Sequence, residues 1–112
     1  MRVYQGKLNT NTSYATKDET ITLVTNGGFR QGSTAVITGQ WTVSYTGVSK
    51  KNYSRAGTIT KLEDDQIEIF VDEDQYYWFE GKVSDDQIVL NMKKDGDDNY
   101  GEAELSLVFS ET

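Results

Sequence analysis

The 112-residue chain contains no histidine, no cysteine and no proline. Without histidine there is no Ser-His-Asp or Cys-His catalysis, no ordinary zinc or iron site and no simple pH switch. Without cysteine there is no disulfide framework, zinc-thiolate site or thiol nucleophile. Without proline there is no cis-proline turn and no polyproline element. No apolar run approaches the roughly 20 residues that span a bilayer, and no secretory signal opens the sequence. A cytoplasmic location is therefore the default expectation. Positive charge is scarce as well. Eleven Lys and Arg against eighteen Asp and Glu leave a net charge of −7. Such a surface repels phosphate backbones and anionic lipid, so neither nucleic acid nor membrane is an expected partner. Solubility is the ordinary use of such charge.

What the chain has instead is a period of two. With 36% hydrophobic and 12% aromatic residues it is too apolar for disorder. Tyr76–Met92 reads YYWFEGKVSDDQIVLNM. Alternating side chains point to opposite faces of a strand. A turn centred on Asp85-Asp86 sets Val83 opposite Ile88, Gly81 opposite Leu90 and Phe79 opposite Met92, all on one buried face. A slip of one residue would expose all six. The same alternation recurs in Arg2–Asn9 (Tyr4, Gly6, Leu8), Glu19–Thr25 (Ile21, Leu23) and Ser33–Thr46 (Ala35 to Tyr45 at odd positions). It returns in Tyr53–Leu62, in Gln66–Val71 (Ile67, Ile69, Val71) and in Asn99–Phe109 (Ala103, Leu105, Leu107, Phe109). Asn26-Gly27-Gly28, Glu63-Asp64-Asp65, Asp72–Gln75 and Asp95–Asp98 supply turns, and Gly47–Asn52 reads as a loop. Gly39, inside a strand, predicts a bend or bulge. No segment has helical periodicity. The pattern predicts one all-β domain over residues 1–112, an antiparallel up-and-down meander of about eight strands, closed or nearly closed into a barrel.

By alternation Trp41, Tyr45, Tyr53, Tyr77 and Phe79 point inward. An eight-stranded barrel is just wide enough to be filled by side chains or to hold one small ligand. Read as core, these rings fill the barrel. Read as a pocket, they line it, and the tyrosine hydroxyls call for a ligand or water. Arg55 falls on the face that also carries Ile59. An inward arginine needs an anion, either a carboxylate partner or an acidic ligand, unless it reaches back to water at a strand end. The candidate ligand-binding residues are thus Trp41, Tyr45, Tyr53, Arg55, Tyr77 and Phe79. The connection at Asp72–Gln75 leaves two registers open, one with Phe79 opposite Ile69 and one with Trp78 there.

Gly39-Gln40-Trp41 opens a strand and is followed by a hairpin meander. It resembles the Gly-x-Trp feature of the calycin group, the lipocalin- and avidin-like barrels. The resemblance implies an eight-stranded barrel plugged at one end by Trp41, with a small ligand at the other. It also implies a structural role for Arg55 or Arg30, laid over the plug tryptophan. In that group the motif usually marks the first strand, whereas here two strands precede it.

On the outward face, Tyr76 and Trp78, with Val89 and Lys82 nearby, read as a protein or glycan contact or a dimer interface. Asp95-x-Asp97-x-Asn99-x-Gly101-Glu102 places oxygen ligands at alternate positions. The EF-hand pattern needs its glycine one place earlier and a glutamate where Ser106 stands, so an ordinary hairpin turn is expected and no metal or other cofactor. The acidic turns supply paired carboxylates, but turn carboxylates are usually solvated, and no enzyme is expected. The functional expectation is a non-enzymatic binding module for a small hydrophobic or aromatic ligand. The alternative is a protein-interaction or structural module acting through its acidic surface or outer sheet face, with a second copy as one such partner.

Overall fold

The eight strands close into a single antiparallel barrel. A computed structural model describes residues 1–10, 19–42, 50–71, 77–84, 86–94 and 97–111; for residues 10, 40–42, 50–53, 77, 94 and 97–100 it describes the backbone alone. The strands are β1 (Arg2–Thr10), β2 (Glu19–Thr25), β3 (Thr34–Thr42), β4 (Lys50–Glu63), β5 (Gln66–Val71), β6 (Tyr77–Val83), β7 (Gln87–Lys94) and β8 (Asp97–Ser110). Each pairs with its neighbours in sequence, and β8 returns to β1, so no edge is left for another chain to extend.

The register follows the apolar alternation. Val83 pairs with Ile88, Gly81 with Leu90 and Phe79 with Met92. Phe79 also faces Ile69, and Trp78 faces Phe70, which decides between the two registers left open by the sequence. Tyr4, Leu8, Ile21, Leu23, Ile37, Ile59, Ile69, Phe79, Ile88, Leu90, Met92 and Leu105 fill the interior, each essentially inaccessible to solvent. Their outward neighbours are mainly threonine, serine and charged residues. That is the reverse of the pattern in strand barrels that cross a bilayer, which are apolar outside.

At three glycines the neighbouring strand's backbone occupies the space of a side chain. A Cβ on Gly6 would lie 1.6 Å from the Glu104 carbonyl oxygen. One on Gly81 would lie 1.8 Å from that of Val89, and one on Gly57 would lie 2.8 Å from that of Phe70. The register shows no bulge at Gly39: pairing with β4 runs through it without a shift, and on the β2 side the paired run ends there, opposite Ile21. The register shifts fall instead between Val3 and Tyr4, Ile59 and Lys61, and Met92 and Lys94. The first of these overturns one expected orientation. Tyr4 pairs with Leu107 while Val3 pairs with Phe109, so Val108 is an extra residue. The bulge turns Phe109 outward, where it is 48% exposed, while Leu107 packs against the core.

Two expected loops are shorter than read. Lys50, Lys51 and Asn52 belong to β4, paired with Thr42, Trp41 and Gln40. Asp97 and Asp98 belong to β8, with Asp97 opposite Lys94. Lysine, asparagine and aspartate are poor strand formers on their own, and the ladder to an established neighbour overrides that preference.

Candidate functional site

The two ends of the barrel differ in chemistry. The end that carries the chain termini also carries the β2–β3, β4–β5 and β6–β7 connections. There the segment 26–33 folds across onto β4: the Gly32 amide donates to the Ile59 carbonyl at 2.7 Å, and the Ile59 amide to that of Ser33 at 2.9 Å. This places Phe29 over Tyr4, ring centroids 5.2 Å apart. Gly27 and Gly32 flank it with φ of 92° and 91°, values that other residues rarely adopt. Tyr4 is buried, and its hydroxyl meets no hydrogen-bond partner among the described residues. Such a group costs about 1–3 kcal/mol.

The opposite end is reached by the connections at 11–18, 43–49, 72–76 and 95–96, all outside the described residues. Arg55 lies in this half of β4. It pairs with buried Ile37 and alternates with buried Gly57 and Ile59, so it faces the interior. The side chain is half-buried, and its Nη1 donates to the Ser54 carbonyl at 2.9 Å. Glu19, the first residue of β2, has the same orientation. It pairs with buried Leu8 and shares the face of Ile21 and Leu23. The sequence signal for Glu19 was present, since it continues the inward alternation of Ile21 and Leu23. Two ionisable side chains, Arg55 and Glu19, therefore face inward towards the same end of the barrel.

Phe79 is fully buried, between Ile69 and Met92 in the register. The backbone of Trp41 pairs with Lys51, that of Tyr53 with Gly39 and that of Tyr77 with Lys94. The side chains of these three aromatics, and the whole of Tyr45, lie outside the described residues. Phe79 and Arg55 are thus the two predicted site residues whose side chains the structure brings to one inner wall.

Of the predicted outward pair, Tyr76 lies outside the described residues. Trp78 is half-buried on the outer face, between Phe70 and Lys93 in the register. Beside it a groove of about 290 Å³ crosses β4–β7, lined in part by Lys61, Glu68, Glu80, Asn91 and Lys93. Glu80 Oε2 lies 2.5 Å from Lys93 Nζ. Hydrogen bonding to Lys93 holds the Glu80 carboxyl below its ordinary value against partial desolvation, with Glu68 and the charges of Lys93 and Lys61 assisting. The Thr60 hydroxyl donates to Glu68 Oε1 at 2.7 Å. These carboxylates are engaged by lysine and threonine partners on an open sheet face. Among the described residues no group of acidic side chains forms a metal site. Of the calcium-like run, Asp97 and Asn99 lie in β8, and Asp95 lies outside the described residues.

No family model, curated protein or solved structure matches the chain.

Proposed function

We propose that the barrel binds a small amphipathic molecule, with an apolar or aromatic body and an anionic group, at the end where Arg55 faces inward. The observation that carries this reading is the placement of Arg55 on the inner wall, opposite Ile37. A guanidinium on the inner wall offers a fixed positive charge to a molecule entering that end. Its planar fork suits a carboxylate. An eight-stranded barrel accommodates one small molecule at most. Trp41, Tyr45, Tyr53 and Tyr77 are the proposed lining, Arg55 the anchor for the anion and Phe79 the floor.

The calycin resemblance implies a different role, with Arg55 or Arg30 as a cover for Trp41 and the ligand at the far end. One experiment separates the two. Native mass spectrometry of gently purified protein is expected to show a reproducible adduct of a few hundred daltons. A panel of fatty and aromatic carboxylic acids is expected to raise the melting temperature. A ligand at about 100 times its Kd adds roughly 2.7 kcal/mol, a shift on the order of 10 °C for a domain of this size. Arg55→Gln should abolish both effects while leaving the unliganded melting temperature close to wild type. Bare wild-type monomer with no shift from any acid in the panel would sink the proposal. Unchanged binding with a sharply lower melting temperature in Arg55→Gln would return Arg55 to the structural role.

A further inference from the structure

Cross-strand pairing aligns a row of apolar side chains on the outer surface. Phe109 pairs with Val3, Val3 with Val24, Val24 with Val36 and Val36 with Ala56. Val3, Val24, Val36 and Ala56 each have a buried chain neighbour on the other face, and Phe109 is itself exposed, so the row is outward. Phe109 is 48% exposed and the extra residue Val108 57% exposed. The next row, Ser106, Gln5, Thr22, Thr38 and Ser54, is uncharged as well. Two rows across five strands carry no charge on a chain that is 26% charged. The groove face on β4–β7 carries lysines and glutamates over the same span.

We infer that this face is a two-fold interface with a second copy of the chain. The order of residue sizes is the reason for choosing that occupant. The row runs from large to small: Phe109, then three valines, then Ala56. A two-fold axis through Val24 sets Val24 against Val24, Val3 against Val36 and Phe109 against Ala56 of the other copy. Large meets small at both ends, as a self-complementary surface requires. Two convex barrel walls diverge away from the axis, and the phenylalanines stand where that gap opens. Charge points the same way. At −7, two copies repel through most of their surface, and this face is where they approach without opposing like charges.

The area sets the strength. Five strands about 4.8 Å apart, with two outward positions about 6.8 Å apart along each, cover roughly 330 Å² per copy. The pair buries about 650 Å², below the size of a stable specific interface, so the dimer is a weak one.

The test is sedimentation velocity over a concentration series, with far-UV circular dichroism confirming the fold of each variant. Wild type is expected to move from 12.6 kDa towards twice that mass as concentration rises towards about 1 mM. Val24→Lys places two like charges on the axis and should weaken dimerisation about 100-fold or more. Phe109→Ala and Ala56→Phe should each weaken it, one by a gap and the other by a clash. The double variant should dimerise better than either. A wild-type monomer up to about 1 mM overturns the proposal and leaves the face to a different protein. A dimer that survives Val24→Lys also overturns it, as does a double variant weaker than both singles.

Discussion

Gly81→Ala tests the geometry of the barrel wall. Gly81 faces inward on β6, paired with Leu90 on one side and Ile67 on the other. An added Cβ would sit 1.8 Å from the Val89 carbonyl oxygen, where real Cβ atoms stay beyond 3.0 Å. The obstacle is space, since the φ of Gly81 lies outside the left-handed region that favours glycine. Relief requires β6 and β7 to part by more than an ångström. Ladder hydrogen bonds then stretch past their useful length of about 3.2 Å. Two weakened bonds, each leaving a buried group poorly satisfied, cost about 1–3 kcal/mol apiece. Disturbed packing of Leu90 and Ile67 adds to this. Alanine returns about 0.5–1 kcal/mol by restricting the unfolded chain. The expected net loss is about 3 kcal/mol or more, out of a total of roughly 5–15 kcal/mol. Urea unfolding followed by far-UV circular dichroism measures it directly, and the melting temperature should fall by about 12 °C or more. Gly28→Ala is the control. A Cβ there meets nothing within 4 Å, so its stability should change by less than about 0.5 kcal/mol. A Gly81→Ala protein within about 1 kcal/mol of wild type would refute the reasoning, because the wall would have to yield where the structure leaves no room.

Phe79→Ala removes a fully buried ring between Ile69 and Met92. It should cost about 3–5 kcal/mol in the same urea assay, with Phe79→Leu costing much less. The Glu80–Lys93 pair predicts a small acid sensitivity. The folded carboxyl is held below its ordinary value of 4.5, so the pair contributes stability above that pH and loses it as the pH falls through the lowered value. The two side chains are 37% and 25% exposed, so solvent screening limits the contribution to a few tenths of a kcal/mol. Glu80→Gln should narrow the difference in urea midpoint between pH 7 and pH 3 by that amount; an unchanged difference would show that the pair contributes nothing.

The candidate site was partly legible. Arg55 could be placed inward from its parity with Ile59, and the pairing with Ile37 agrees. Glu19 was equally readable from Ile21 and Leu23. Trp78 was rightly separated from Phe79 by parity, but deciding which of them faces Ile69 needed the register across 72–76. The outer apolar row was not legible at all. Val3, Val24 and Val36 each look like a single apolar residue on a polar face. They become a row through strand partners that lie far apart in sequence.

Alternation alone determined that the chain is an eight-strand antiparallel meander with Leu, Ile and Phe79 inside. With a period of two, only one register buries every apolar set. Only the tertiary structure decided that the meander closes, because closure depends on β8 meeting β1, a contact between the two ends of the chain. Closure also decided where the strain goes. At Gly6, Gly57 and Gly81 the carbonyl oxygen of the next strand takes the place of a Cβ. The bulge at Val3 and Tyr4, set by the fit of β1 against β8, turns Phe109 from the core to the surface. A local pattern states which side chains prefer to be buried. The number of residues each strand must spend to reach its partner follows from the closed sheet.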